Sequence, residues 1–179
     1  MTEFTLTVAT SADGFISRTA EEPPQEWASA EEQTLFFRDV DAADWAIMGR
    51  NTHEAADKPY RRRIVFSSKT GGWQRPTQLW LDPAGVAPND LVQRVADVHP
   101  LDRGLILGGT RVHDWFLAHG AIDKVHLTIE PIAFGAGLRI FSNQSSANAV
   151  EAFTSNGFTV DSHNVLNGRG TRFLEMSPI

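Results

Sequence analysis

The feature of this sequence that most constrains its fold is the alternation of short apolar runs with helical patterns. Up to about residue 130, strand-like segments such as Phe4–Thr10 and Gly104–Gly109 are separated by segments with apolar residues at helical spacing, such as Pro88–Val98. Strands that alternate with helices favour a mostly parallel sheet covered on both faces. Strand patterns alone follow, and Asn167-Gly168 predicts a terminal hairpin. We therefore expect an α/β fold with a mostly parallel central sheet, flanking helices and a C-terminal antiparallel hairpin.

The same patterns give approximate limits for the other elements. Helices are predicted at 29–40, 51–57 and 110–119, and strands at 44–49, 62–68, 77–81 and 123–134, with a loop at 71–76. The apolar run Leu105–Leu107 predicts a central strand. No linker or internal repeat divides the chain, so we expect a single domain spanning residues 1–179.

Composition excludes several classes of protein. The chain has no cysteine, which excludes disulfides, thiolate metal sites and a cysteine nucleophile. The histidines show no metal-ligand spacing and no G-x-S-x-G occurs, so neither a metal site nor a serine hydrolase is expected. The N-terminus does not resemble a signal peptide, and no apolar run is long enough to span a membrane. We expect a cytoplasmic protein without a membrane partner.

The net charge of −6 argues against nucleic acid as a partner, because a nucleic-acid binder needs a positive face. The main basic cluster is Arg61–Arg63. It leads directly into an apolar strand, and we interpret it as a solvated strand start.

Three junctions between a predicted strand and the following segment carry groups suited to an anion. The strand at Leu105–Leu107 leads into Gly108-Gly109 and a helix, whose first N–H groups and dipole favour an anion. Glycine lets a phosphate approach the backbone closely. Similar junctions follow at Gly49-Arg50 and at Ser67–Lys69. Each alone is compatible with a simple capped turn, but three together favour nucleotide binding.

These residues resemble a known family. The segments "AIMGRNTHEA", "RRIVFSSK", "LILGGTRVHDWFL" and "DKVHLTIEPIAFGAG" are similar, in this order, to the motifs of the dihydrofolate reductase superfamily. The segments "ATSADGFIS" and "EWASAEE" look more like its riboflavin-biosynthesis branch, the RibD C-terminal domain. The resemblance covers almost the whole chain. It implies a dihydrofolate reductase-like fold, NADPH as cofactor and a homodimer.

The resemblance also implies which residues touch NADPH. The glycine pair and the following helix would face the nicotinamide and the diphosphate, the second junction would hold the diphosphate and the 2′-phosphate side, and the third would favour NADPH over NADH. The implied cofactor residues are Gly49, Arg50, Thr52, Ser67, Ser68, Lys69, Gly108, Gly109, Thr110, Arg111 and Val112.

Glu32 is the candidate for proton transfer or for orienting a heterocycle. It shares a helical face with Leu35 and Phe36, and a carboxylate on an apolar stripe needs a reason because desolvation is costly. The resemblance supports this role and implies that Thr128 is its partner. However, Ser29 to Glu32 is also a capping box, in which Glu32 would bond the Ser29 backbone N–H. Both readings stay open from the sequence.

Three further residues are candidates for the substrate side. By resemblance, the loop at Asp13-Gly14 would close over the cofactor; the alternative is a plain turn. Trp27 and Ser29 match residues that line the substrate pocket of the riboflavin branch, and Trp27 could equally be a core aromatic.

The chain also departs from the riboflavin branch. Leu107 stands where that branch usually carries a glutamate, and its phosphate-binding arginine has only a loose counterpart in Arg38. The resemblance therefore implies a stand-alone NADPH-dependent reductase of a pyrimidine- or pterin-like heterocycle, with 5-amino-6-(5-phosphoribosylamino)uracil as the nearest substrate. The alternatives are a dihydrofolate reductase, another small imine or carbonyl reductase, or a non-catalytic NADPH-binding protein.

Overall fold

A nine-stranded sheet forms the centre of the molecule, and the computed structural model describes all residues 1–179. The strands are β1 (Glu3–Thr10), β2 (Phe15–Ser17), β3 (Trp45–Gly49), β4 (Arg63–Phe66), β5 (Gly72–Arg75), β6 (Gln78–Leu81), β7 (Arg103–Ile106), β8 (Lys124–Ile129), β9 (Leu138–Arg139), β10 (Phe158–Val165) and β11 (Arg172–Pro178). The helices are α1 (Ala30–Ala42), α2 (Arg50–Ala55), α3 (Pro88–Val95), α4 (Thr110–Ala118) and α5 (Ala149–Thr154), with one 3-10 turn at Pro24–Glu26.

The order of the main sheet is β10-β11-β8-β1-β7-β3-β4-β6-β5. The six strands from β8 to β6 are mutually parallel, and antiparallel strands close both edges. β7 lies at the centre between β1 and β3, as its apolar sequence predicts. The expected mostly parallel α/β sheet with a C-terminal antiparallel hairpin is confirmed.

Some elements differ from the sequence-based expectation. The expected loop at 71–76 contains edge strand β5, which is largely exposed and therefore lacks an apolar pattern. The expected strand 123–134 ends at Ile129, because Pro131 has no N–H to donate to a ladder. The small β2–β9 sheet and α5 are not predicted by periodicity, since each is very short.

The terminal hairpin forms where Asn167-Gly168 predicts it, but its turn is longer than two residues. The last backbone pair joins Leu166 to Thr171, which leaves four residues in the loop. The side-chain oxygen of Asn167 accepts hydrogen bonds from the N–H groups of Arg169 and Thr171. The positive φ of the turn, 96°, is at Gly170.

The two faces of the sheet are packed differently. The main cluster of buried apolar side chains includes residues of α3, α4 and α5 but none of α1 or α2. Thr7 on β1 instead bonds Asp39 of α1, and Arg63 on β4 contacts His53 of α2. The face under α1 and α2 is thus partly polar, and it is the face that bears a large cavity. None of the helices is long and apolar enough to cross a bilayer.

We predict that Gly104→Ala destabilises the protein at the centre of this sheet. A Cβ at Gly104 would come within 2.5 Å of the ring of Phe4, which is only 4% exposed and would have to shift. Overpacking of this kind costs about 1–3 kcal/mol. Urea unfolding measures the loss. Gly168→Ala is the control, because nothing lies within 4 Å of a Cβ there, and equal stability of the two variants would contradict the prediction.

Candidate active site

A cavity of about 720 Å³ lies over the carboxyl ends of the central strands and continues between α1 and α2. This is where ligands bind in open α/β sheets, and the volume falls within the range of about 300–1,000 Å³ for ligand sites. All eleven residues expected to touch the cofactor line it, as does Glu32. The fold therefore brings the three junctions of the sequence to one place.

Two helix starts meet at one end of this cavity. Gly49 precedes α2 and Gly109 precedes α4, and no side chain caps either helix. The Gly49 N–H donates to the Gly108 carbonyl at 2.9 Å, which joins the two junctions. The first N–H groups of a helix have no partner within the helix, so both ends offer donors to an anion. Gly108 has φ +92°, a conformation that favours glycine.

The third junction adds hydroxyl groups and a positive charge. The Ser67 hydroxyl oxygen accepts hydrogen bonds from the backbone N–H groups of Lys69 and Thr70, which holds the turn after β4. Ser68 and Lys69 are exposed on the cavity rim. With Arg50 and Arg111 also in the lining, this end of the cavity is rich in donors for phosphate groups.

His113 contributes a buried acceptor beside the glycine pair. Its ring is 1% exposed, and its Nδ1 lies 2.9 Å from the Ile140 carbonyl oxygen. Burial lowers the pKa of His113 to about 4, so the ring is neutral at physiological pH. Nδ1–H therefore donates to the carbonyl, and the unprotonated Nε2 has no partner. This nitrogen packs against Gly108, where a Cβ would approach it to 3.1 Å.

Glu32 lies on the opposite side of the cavity, in the first turn of α1. Its side chain is 5% exposed and lines the cavity. Burial, followed by repulsion from Glu130 and Asp39, raises the pKa of Glu32 to about 7. The carboxyl group therefore carries a proton over much of the neutral range and can act as a proton donor.

Of the two hydrogen bonds in the capping box predicted at Ser29–Glu32, only one forms. The Ser29 Oγ accepts from the Glu32 N–H at 3.1 Å, which caps α1. The Ser29 N–H, however, donates to Glu130 Oε1 at 3.0 Å, so it is not available to the Glu32 carboxylate. Glu130 thus accepts the hydrogen bond that the Glu32 carboxylate would accept in a full capping box. The Glu32 carboxyl group faces the cavity instead.

Glu130 is a residue that the sequence analysis missed. It is 3% exposed and accepts three hydrogen bonds, from the Ser29 N–H, from the Ser29 hydroxyl at 2.6 Å and from the Thr171 hydroxyl at 2.9 Å. The available signal is its position in "HLTIEP", where strand periodicity puts it on the same face as Thr128 and His126.

Asp39 is a second missed acid, one heptad after Glu32 on the same helix. Its carboxylate accepts hydrogen bonds from the Thr7 hydroxyl at 2.7 Å and from His126 Nδ1 at 2.8 Å. Burial would raise the pKa of Asp39, but the hydrogen bonds from His126 and Thr7 outweigh burial and hold it below its ordinary value. Asp39 therefore stays ionised and disfavours a second negative charge on Glu32.

Four residues proposed for catalysis or substrate binding lie outside the cavity lining. Asp13 accepts from the N–H groups of Phe134 and Gly135, and so closes that loop. Trp27 packs edge-on against Phe134, with ring centroids 5.2 Å apart. Ser29 caps α1. Thr128 is 4% exposed on β8. Their proposed roles toward a ligand stay predictions.

Arg38, the loose counterpart of a phosphate-binding arginine, is also outside the lining. Its guanidinium is exposed, contacts Asp39 at 3.4 Å and lies over the ring of Phe173. Residues that do line the cavity but were not predicted include Gln33, Phe36 and Phe37 of α1, and Arg63 of β4.

Comparison with known proteins agrees with this geometry. The family model described as the RibD C-terminal domain matches residues 3–166. No curated protein sequence matches the chain. Among solved structures, a protein from Shewanella sp. PV-4 that is provisionally assigned to riboflavin biosynthesis is 20% identical, with a TM-score of 0.70 and 99% of each chain covered.

Two other structures share the fold. A diaminohydroxyphosphoribosylaminopyrimidine deaminase/5-amino-6-(5-phosphoribosylamino)uracil reductase from Thermotoga maritima is 17% identical, with a TM-score of 0.73; the match covers 99% of this chain and 57% of that one. Dihydrofolate reductase from Enterococcus faecalis, complexed with NADP(H), is 16% identical, with a TM-score of 0.67 and coverage of 98% and 96%. The expected dihydrofolate reductase-like fold is confirmed.

We predict that Glu32→Gln stabilises the protein at alkaline pH. The folded pKa of Glu32, about 7, lies above its ordinary value of 4.5, so its favourable contribution is present below pH 4.5 and is lost as the pH rises through 7. Relative to wild type, the variant should gain about 2–3 kcal/mol between about pH 5 and about pH 8. Urea unfolding at both pH values measures the change. Glu31→Gln, on the partly exposed neighbour, is the control; a gain of the same size there, or none in Glu32→Gln, would contradict the prediction.

Proposed function

The chain belongs to the RibD C-terminal domain family, and we propose that it is an NADPH-dependent reductase of a pyrimidine-like heterocyclic compound. The observation that carries this proposal is the composition of one cavity. Phosphate donors from three strand ends lie at one end, and a buried carboxyl group with a pKa near 7 lies across from them. A hydride reductase needs both an anion-binding nucleotide site and a proton source.

The residues at the junctions fit NADPH. The uncapped starts of α2 and α4 would hold the diphosphate, and Gly109 leaves the backbone accessible to it. Arg50, Ser67, Ser68 and Lys69 would bind the 2′-phosphate, because this group is a dianion recognised by donors and positive charge. A Cβ at Gly109 would have only Ile16 Cδ1 nearby, at 3.9 Å, so this space belongs to the cavity and not to the core.

When bound, NADPH supplies a hydride to the carbon of a C=N or C=O group. The nitrogen or oxygen of that group must then take up a proton. The protonated carboxyl group of Glu32 is placed to supply it, or to orient the heterocycle by a hydrogen bond. Burial, together with the charges of Glu130 and Asp39, raises the pKa of Glu32 and so supports this role.

The nearest substrate is 5-amino-6-(5-phosphoribosylamino)uracil, which is named in the description of the Thermotoga structure. One observation favours a second candidate, a reductase of another small imine or carbonyl compound. Leu107, which stands where the riboflavin branch usually has a glutamate, lines the cavity directly before the glycine pair. An apolar side chain there removes a polar contact that a hydroxyl-rich substrate could use.

We expect Gly109→Val to weaken NADPH binding by more than about tenfold, since the added side chain would occupy the space next to the first N–H groups of α4. Isothermal titration calorimetry with NADPH measures the loss. Gly168→Val, in the open hairpin turn, is the control for a general effect of valine. Undiminished affinity in a folded Gly109→Val variant would show that the glycine pair does not contact the cofactor.

We expect Glu32→Gln to slow turnover by about 10²-fold or more while it leaves NADPH affinity unchanged, because general acid catalysis contributes about 10²–10⁴-fold. The loss of NADPH absorbance with 5-amino-6-(5-phosphoribosylamino)uracil measures turnover. The wild-type rate should fall as the pH rises above about 7, when Glu32 loses its proton. Glu31→Gln should keep both the rate and this pH profile. An unchanged rate in Glu32→Gln would remove its proposed role, and a binding protein without turnover would oxidise no NADPH in any variant.

A further inference from the structure

Asp82 is an acidic residue in a part of the cavity that otherwise offers donors and positive charge. Three acids line the cavity, Glu22, Glu32 and Asp82. Glu22 is paired with Arg18 at 2.8 Å, and Glu32 lies on α1, across the cavity from the junctions. Asp82 directly follows β6, at the edge of the sheet where the third junction, Ser67–Lys69, follows β4.

The pairing of β4 with β6 places Asp82 next to Ser67. Phe66 and Leu81 are partners in the parallel ladder, and the Ser67 N–H donates to the Leu81 carbonyl at 2.9 Å. Ser67 and Asp82 are the next residues along the two chains, so their backbones lie about 5 Å apart. Leu81 is buried in the main apolar cluster. Because side chains alternate along a strand, that of Asp82 projects to the opposite face, which bears the cavity.

The Asp82 carboxylate carries a charge that no cation of the protein neutralises. The side chain is exposed, and an exposed aspartate is ionised at neutral pH. Its Oδ1 accepts a hydrogen bond from the Ala84 N–H at 3.0 Å, which orients the carboxylate. Neither Asp82 nor Lys69 takes part in an ion pair. A free negative charge therefore stands beside the donors that we assign to the 2′-phosphate.

We propose that Asp82 is a specificity-determining residue that repels the 2′-phosphate of NADPH and so limits the preference of the site for NADPH over NADH. An acid beside the ribose suits a free 2′-hydroxyl, and cations suit a 2′-phosphate. Here both kinds of group line the same part of the cavity. The positive charges of Arg50 and Lys69 outnumber that of Asp82, so NADPH stays preferred while NADH is also accepted. This assignment deepens the proposed function, since it rests on the junctions being the nucleotide site.

The proposal is tested by calorimetric titration of wild type, Asp82→Asn and Asp82→Lys with NADPH and with NADH. The titrations are made at pH 8, because a phosphate monoester loses its second proton near pH 6. Asp82→Asn removes the charge and keeps a side-chain oxygen for the Ala84 N–H. Asp97→Asn is the control, because it changes the net charge of the protein equally and Asp97 is exposed outside the cavity lining.

We expect the ratio of NADPH affinity to NADH affinity to rise about two- to fivefold in Asp82→Asn, the usual size of a charge interaction between exposed groups. It should rise further in Asp82→Lys and stay unchanged in Asp97→Asn. The rise should shrink in 1 M salt, where the screening length is about 3 Å. Damage to the fold would not raise the affinity for one nucleotide alone. An unchanged or lower ratio in both Asp82 variants, or an equal rise in Asp97→Asn, would overturn the proposal.

The same data separate this proposal from the proposed function. If wild type binds NADPH and the ratio is the same in both Asp82 variants, the nucleotide site stands and the role of Asp82 is overturned. If wild type binds NADH more tightly than NADPH and Asp82→Lys reverses this order, the role of Asp82 stands and the preference for NADPH is wrong. If wild type binds neither nucleotide, the proposed function fails, and the role of Asp82 fails with it.

Discussion

The hydrogen bonds of Glu130 are the contact on which the substrate side of the cavity depends. The Glu130 carboxylate lies buried just after β8 and accepts hydrogen bonds from Ser29, which caps α1, and from Thr171, at the end of the hairpin loop. It therefore holds these two segments together. Ser29 is 101 residues and Thr171 is 41 residues from Glu130 in sequence. Because Glu130 takes the Ser29 N–H, the carboxyl group of Glu32 is free to face the cavity. Its charge also helps to raise the pKa of Glu32.

The division of the sheet into two faces explains how the fold can keep such a cavity. The face under α3, α4 and α5 carries the main apolar cluster, and hydrophobic burial there supplies most of the stability. The other face is held by polar contacts such as Asp39 with His126 and Glu130 with Ser29. Polar groups in partly buried positions are costly unless they are hydrogen-bonded, which is why each of these acids has defined partners. The carboxyl group of Glu32 is the exception, and it lines the cavity.

The sequence predicts the central sheet and the glycine junctions well, because both depend on local patterns. An apolar run followed by Gly108-Gly109 and a helix can be recognised within a few residues, and the carboxyl ends of parallel strands necessarily share one edge of the sheet. The residues on the substrate side of the cavity are harder to predict from the sequence. The partners of Glu130 are distant in sequence, so no local motif reveals them. Arg63 stands in a run of three arginines, and the burial of one of them depends on α2 packing over β4. The expected homodimer and the ligand roles of Asp13, Trp27, Ser29 and Thr128 stay predictions.

We propose that this cavity binds NADPH and that the third junction, Ser67–Lys69, sets its preference for NADPH over NADH. The most direct measurement is a side-by-side titration of wild type and Lys69→Gln with NADPH and NADH, followed by quenching of tryptophan fluorescence. Wild type should bind NADPH more tightly than NADH, and Lys69→Gln should lose much of this preference while its NADH affinity stays unchanged. Binding of neither nucleotide to wild type, or equal affinity for both, would contradict it.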